Sequence, residues 1–568
     1  MQSDYEFTAK DGGKVWTRRL FGIEQLVGVM ASKTPGFGAL TGGFVLSLPR
    51  PVPAAALRIP LEVAWTRLRS IAPVVGLKTK DAKKDDASNP ENSLYFEYAV
   101  PDDAESVHAW VKETIKWHDD PMTLRERDIA MKNIWWRAGD GKYNYELHVA
   151  PDVEKDKWQI MIHSAHWSAD VRGTLQLSEL LFTYLNEYLV LHPDQEPSLS
   201  VKWGEETKKL TPPVALVAAQ VAGMPVSMLF PKPPSGNGSA PETTQPPEAD
   251  APNGNVQPPN SDEGEQKLAQ KEDEGSAAAP AGPVFFLRPT PLLDETPTFD
   301  AVATDVWLTK DQTTQFREKC RRYGITVTQA VTALKAVAEV EWVLTYGEGR
   351  TGEKQKRVLE TYEKASHLPS LWNVVDQRHK LKEFARYDGA KGSVPFGSEG
   401  FPLMLDMTTI RQAVKYNKET DKVERNTSDD VFWDIVAKHC RDLWKSSDCD
   451  IPAFLEREMM CNMYSTMYDP SAYMIPALMA SSIGDIERLG LLTAFSPSVP
   501  SNAQERLLIE QVSISVRCPT PVKMVLSWQW DGRLLVRPQT ASRWTSQKGL
   551  DRMGEILRSW IEETCLSA

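Results

Sequence analysis

At 568 residues the chain is too long for one ordinary core and implies two or more domains. Hydrophobic residues make up 41% and charged residues 25%, a globular balance, and a net charge of -12 without a strongly basic stretch argues against a nucleic-acid partner. The six cysteines include no CxxC pair and Met1 to Lys14 is polar, so free thiols in a reducing, cytoplasmic setting are expected.

Residues 16–76 read as an opening strand or loop followed by a helix over 54–70. That helix places Leu57, Leu61, Trp65 and Leu68 on one face at helical spacing. Residues 79–92 read as a solvated excursion, 93–100 as a strand, 107–116 as a helix and 144–149 as a strand. The alternating run 158–162 reads as another strand. It stops at a polar cluster, after which apolar residues recur at helical spacing over 174–189. From Leu210 to Phe230 there are 21 residues without a charge, but Pro212, Pro213, Pro225 and Gln220 argue against a membrane span. A helix of about a dozen residues at 214–223 is too short to cross a bilayer, so a buried or amphipathic crossover is expected there.

The interval 231–283 differs from everything around it. It holds eleven prolines, no aromatic residue, and nine acidic against three basic residues. Such material buries too little apolar surface to offset its ordering entropy, so a disordered acidic linker or insertion is expected. It divides the chain into 1–230 and 284–568. The second half reads as a strand over 301–308, an amphipathic helix over 310–323, and a long apolar helix to about 344 that Thr326 can cap. It closes with strands at 513–517, 523–529 and 533–537, an Asp531-Gly532 hairpin signal, and a helix over 548–564. Gly347-x-Gly349-x-x-Gly352 spells a dinucleotide fingerprint but follows a helix and precedes a charged run, so it is read as a surface loop.

The chemistry concentrates where the 158–162 strand ends, in His163-Ser164-Ala165-His166-Trp167-Ser168-Ala169-Asp170-Val171-Arg172-Gly173. An imidazole can take a proton near neutral pH. The aspartate four residues on could orient the ring or hold the loop by pairing with an arginine elsewhere. His163-x-x-His166-x-x-x-Asp170 could also offer two nitrogens and an oxygen to zinc, but no further ligand cluster accompanies it and no metal is expected. His163 is expected to end the strand and to pack or hydrogen-bond beside the site.

His166-x-x-x-Asp170 resembles the HxxxD signature of the CoA-dependent acyltransferase superfamily, which includes plant BAHD enzymes, chloramphenicol acetyltransferase and peptide-synthetase condensation domains. Three further segments resemble the same superfamily. Gly324-Ile325-Thr326-Val327-Thr328 resembles the turn that opens a helix after the crossover. Asn373-Val374-Val375-Asp376-Gln377-Arg378 resembles the strand whose arginine pairs with the HxxxD aspartate. Ser481-Ser482-Ile483-Gly484-Asp485 resembles a turn beside the catalytic histidine that can supply oxyanion donors. From the residues alone, Arg378 could equally be a surface arginine and Ser481 and Ser482 part of an ordinary turn. The DFGWG segment of plant enzymes is absent from 492–501, and Ala165 and Val171 depart from the HHxxxDG form. The chain thus resembles the fungal trichothecene 15-O-acetyltransferase type more than plant BAHD enzymes.

The resemblance implies an α/β fold of two chloramphenicol-acetyltransferase-like lobes, residues 1–230 and 284–568, with a tunnel between them. It implies an O-acyltransferase that takes acyl-CoA, with acetyl-CoA expected, and a hydroxylated secondary metabolite. His166 would be the base, with Asp170, Arg378, His163 and Gly173 in support and Ser481 or Ser482 near the oxyanion. A monomer with no bound cofactor is expected. Two alternatives stand beside it: a condensation-like enzyme fed by a carrier-protein thioester, and a non-catalytic metabolite-binding member.

Overall fold

The computed structural model describes residues 4–85, 93–198, 200–230, 283–287, 300–346, 352–387, 390–470, 475–500 and 505–566. The acidic interval expected at 231–283 lies outside the described residues except for Pro283, and so does 347–351 of the glycine-rich loop. Three main sheets carry the fold. A five-stranded sheet runs in the order Leu508–Val516, Ala39–Ser47, Lys157–Ala165, Tyr145–Pro151, Ile115–Trp117. A second five-stranded sheet joins Thr8–Lys10, Val15–Arg19, Leu94–Ala99, Leu77–Asp81 and Asp140–Tyr143. The second half builds a seven-stranded mixed sheet in which Leu478–Asp485 lies parallel to both His367–Asp376 and Lys523–Trp530.

The halves are not separate units. Leu508–Val516 crosses over to pair antiparallel with Ala39–Ser47, so a strand from the second half completes the sheet that carries the histidine motif. Arg537 reinforces the crossing: its buried guanidinium pairs with Asp128 of the first half at 2.8 Å and with Asp305 at 2.6 Å. Gly42 and Gly43 sit in the middle of Ala39–Ser47 and let helices approach both faces. A Cβ at Gly42 would meet Thr174 at 3.0 Å, and one at Gly43 would meet Leu124 at 3.2 Å. The helix Val171–Asn186 is therefore held close over the strand Ala39–Ser47.

Most elements fall where the pattern places them. Leu57, Leu61, Trp65 and Leu68 are all buried in the helix Ala54–Ile71, and Trp65 stacks on Trp110 with ring centroids 5.7 Å apart. Burying side chains of this size contributes about 1.5–3 kcal/mol each. The uncharged stretch forms the buried helix Val214–Val221, packed on Phe21, Phe454 and Leu455, and among the described residues no helix is long and apolar enough to cross a membrane. Thr326 caps Val327–Thr345 in a reciprocal pair with Gln329. Asp531 and Gly532 take φ of 48° and 70°, the turn that matches the twist of the flanking strands.

Several expectations need correction. Residues 79–81 are not solvated: they finish the strand Leu77–Asp81, with Thr79 buried. The expected strand at 301–308 is two short pieces, Ala301–Ala303 and Val306–Trp307, interrupted where Asp305 turns to Arg537. The charged run after the glycine-rich loop is a helix, Glu353–Lys364, that buries only Val358 and Tyr362. Ser481–Asp485 is not a turn but the end of the parallel strand Leu478–Asp485, and Gly484, at φ 93°, makes a bulge that shifts its register.

Candidate active site

The strand Lys157–Ala165 runs three residues past the expected end, so His163 lies inside the sheet and His166 is the first residue beyond it. His163 is fully buried. Thr41 Oγ1 lies 2.9 Å from its Nδ1 and the Ile134 carbonyl lies 2.8 Å from its Nε2. A carbonyl only accepts, so Nε2 carries the proton and the Thr41 hydroxyl donates to Nδ1. With both nitrogens engaged, His163 has no lone pair for a metal. Burial, and then the charge of His148, push its pKa down to about 4, and it is a neutral core residue.

His166 is different. Its Nδ1 lies 2.7 Å from the Ala169 carbonyl, which again requires the proton on Nδ1. Nε2 is left as a lone-pair acceptor, and among the described residues none bonds to it. The ring packs against Phe396 and lines two adjoining cavities. Burial lowers its pKa against the raising effects of the Ala169 carbonyl and the Asp170 charge, so the neutral imidazole is the resting form at pH 7. Asp170 does not touch the ring; the carbonyl of Ala169 orients it.

Asp170 is instead the clamp between the halves. Its Oδ2 accepts from Arg378 Nη1 at 2.9 Å, Gly397 N at 2.9 Å and Ser398 Oγ at 2.6 Å. Its Oδ1 accepts from Arg378 Nη2 at 2.9 Å and from Gly173 N at 2.8 Å, which caps the helix Val171–Asn186. Burial opposes ionisation, but the Arg378 charge and this set of donors outweigh it and hold the carboxyl below its ordinary range. Arg378 follows the strand His367–Asp376 and is itself buried. It also donates to Asp376 Oδ1 and to the carbonyls of Val394 and Pro395, so every arm of the guanidinium is used. The other oxygen of Asp376 accepts from Arg172 at 2.5 Å. Gly173 is needed for space, because a Cβ there would lie 2.4 Å from the Pro395 carbonyl.

The two cavities meet at His166. The wider, about 410 Å³, is bounded by Val27, Met30, Phe37, Trp372, Phe396 and Met524 among others, a predominantly apolar wall. The narrower, about 70 Å³, is lined by Asp170, Arg172, Asp376, Ser481 and Ser482. Ser482 Oγ accepts from Thr328 Oγ1 at 2.9 Å, which leaves its own hydroxyl hydrogen free to donate. Trp372 is a wall residue that no sequence signal singles out. It sits at φ 53° in a bulge of its strand and lies over Gly400, where a Cβ would meet the ring at 2.6 Å. Ser398 and Gly397 were equally silent in the sequence, since nothing local marks a serine or an amide as aimed at a distant aspartate.

No protein-family model and no curated protein matches the chain. Solved structures do. The TRI3 trichothecene 15-O-acetyltransferase from Fusarium sporotrichioides superposes with a TM-score of 0.64 at 14% identity, over 99% of this chain and 98% of that one. F. sporotrichioides TRI101, complexed with coenzyme A and T-2, gives a TM-score of 0.49 at 10% identity, over 96% of this chain and 98% of that one. Polyketide synthase associated protein 5 from Mycobacterium tuberculosis gives 0.48 at 12% identity, over 96% and 99%. At these identities the likeness concerns the fold. The chain has the two-lobed α/β fold of the CoA-dependent acyltransferases and condensation domains.

Proposed function

We propose that the protein is an O-acyltransferase that moves an acyl group, acetyl first among candidates, from acyl-CoA to a hydroxyl of a small secondary metabolite. The observation that carries this reading is the free Nε2 of a neutral His166 at the junction of two cavities of unlike width and polarity. The hydroxylated acceptor occupies the wide apolar chamber, and the thioester arm enters by the narrow polar channel.

In this mechanism Nε2 removes the hydroxyl proton while the oxygen attacks the thioester carbonyl. A carbon–oxygen bond forms and the carbonyl electrons move onto oxygen. The Ser482 hydroxyl, free to donate, stands on the channel side where that charge develops. The intermediate collapses, the carbon–sulfur bond breaks, and the thiolate takes the proton back from the imidazolium. No acyl-enzyme is required. The Ala169 carbonyl and the nearby Asp170 charge favour the imidazolium during the step.

The test is to incubate the protein with a panel of hydroxylated terpenoids and polyketides, supplying the acetyl group on CoA or on a carrier protein, and to identify esters by mass spectrometry. An ester formed from acetyl-CoA supports the reading. Esters formed only from the carrier-bound thioester would place the enzyme with the condensation type, and the absence of product from either donor would overturn the proposal.

A further inference from the structure

The chamber wall contains a charge that the proposed reaction does not use. Arg517 follows the strand Leu508–Val516 and lines the wide cavity, yet only 5% of its surface is exposed. Its Nη1 donates to the Lys132 carbonyl at 2.8 Å and to Asn133 Oδ1 at 3.1 Å, and the guanidinium lies over the Trp135 ring. Among the described residues its buried Nε has no hydrogen-bond partner, and the side-chain hydrogen bonds it makes to them all come from Nη1 rather than Nη2. Among the described residues no carboxylate comes within ion-pair distance, and Asp300 acts on it only from farther away. The chamber's own acid, Glu399, is already held by Arg457 at 2.5 Å and Gln377 at 2.6 Å.

The backbone is shaped around this side chain. Gly36 takes φ 73°, and a Cβ there would lie 2.3 Å from Arg517 Nε. Two residues on, Gly38 donates its N–H to the Arg517 carbonyl at 2.9 Å and accepts from His166 N at 2.8 Å. The backbones of His166 and Arg517 therefore flank that of Gly38, about two strand spacings or ~10 Å apart. Nε is sealed against Gly36, so Nη2 is the arm left to donate to an anion, and in a desolvated site a charge-assisted hydrogen bond of that kind is strong.

We propose that Arg517 recognises an anionic group, a carboxylate, on the molecule that fills the chamber, so that the acceptor is an apolar hydroxy acid held with its hydroxyl at His166 and its acid at Arg517. The inference rests on the chamber being the acceptor's side in the proposed function. Trp372, Phe37 and Met30 take the apolar body between the two ends.

Direct binding separates this claim from the catalytic one. Calorimetry on the His166→Ala protein, without donor, would compare 12-hydroxydodecanoate and lithocholate with their methyl esters. The acids are expected to bind about 30-fold or more tightly than the esters, the scale for a buried charge pair left without its partner. Arg517→Gln should abolish that preference and Arg517→Lys should restore part of it. Acids that bind no better than esters, or fail to bind at all, would overturn the assignment, and this wild-type-arginine comparison decides the matter even if the Gln variant does not fold. A second arm compares acetyl-CoA with malonyl-CoA on neutral acceptors in the protein with His166 intact. An Arg517-dependent preference for malonyl would move the anion from the acceptor to the acyl group and contradict the proposal. Arginine-dependent acid binding in a protein that transfers no acyl group would sink the proposed function and leave the anion site standing.

Discussion

Replacing Asp170 by Asn changes one atom type and should cost more stability than any other single-atom change at the site. The carboxylate accepts five hydrogen bonds, two from Arg378 and one each from Gly173, Gly397 and Ser398. An amide must turn its NH2 toward one set of those donors. In one orientation it faces Arg378 Nη1, Gly397 N and Ser398; in the other, Arg378 Nη2 and Gly173 N. Either way at least one charge-assisted bond and one backbone bond are lost, and Arg378 keeps only Asp376 as a counter-charge. Charge-assisted bonds contribute about 1.5–3 kcal/mol each, and breaking a buried pair costs about 3–5 kcal/mol, so a loss of ~3–5 kcal/mol is expected. For a chain of 568 residues that corresponds to a fall in melting temperature of about 3–4 °C. The pH dependence has a definite sign. Asp170 titrates below its ordinary range when folded, so its stabilisation is fully present above that range and is lost as the pH falls through the depressed value. Melting curves of both proteins from neutral to acidic pH would show the wild type losing its advantage as acid is added, with the Asn variant lacking that limb. Identical melting temperatures at neutral pH, with unchanged turnover, would refute the view that Asp170 clamps the two halves.

The base form of His166 is favoured by burial, so the acidic limb of kcat/KM against pH should lie below 6.5, with activity rising as pH increases through it; a limb above 7 would contradict the geometry. Gly173→Ala forces a methyl group against the Pro395 carbonyl and should destabilise by about 1–3 kcal/mol in denaturant titrations, a loss that an unchanged midpoint would deny. Glu458 is buried at the start of the helix Ile23–Lys33, where it accepts from Ile23 N, and burial first, then Glu399 and Glu24, push its pKa up to about 8. A raised carboxyl stabilises below its unfolded pKa and loses that contribution as pH rises through 8, so Glu458→Gln should melt higher than wild type at pH 9 and close to it at pH 5. Parallel curves across that range would show that the group does not titrate as described.

The site was legible where chemistry needs a particular residue type. His166 and Asp170 stand out as a base and an acid spaced four apart at a strand end, whereas Arg378, 208 residues from Asp170, is legible only through the superfamily resemblance of residues 373–378, since its residues alone fit a surface arginine equally well. What the pattern could not supply was the direction of each contact. Asp170 could orient the ring or hold the loop, and only the fold shows Ala169 doing the first and Asp170 the second. The helix Ile23–Lys33 was missed because its residues from Ile23 to Ala31 are all buried, including Glu24, which is paired with Arg18, so no polar face marks a helical period. Within the expected opening strand or loop the pattern does not delimit the strand Ala39–Ser47, whose central Gly42 and Gly43 lack the side chains that mark alternation and so admit helices on both faces. Ser481–Asp485 resembles a turn of the superfamily, whereas in the fold its glycine makes a bulge within a strand.

The decisive measurement is the rate of acceptor-dependent thiol release from acetyl-CoA by wild type and by His166→Ala, each verified as folded by its melting curve. Removal of a general base should slow the reaction by about 100- to 10,000-fold while leaving the melting temperature close to wild type. Full turnover in the alanine variant would show that the free nitrogen at the junction of the two cavities is not the base.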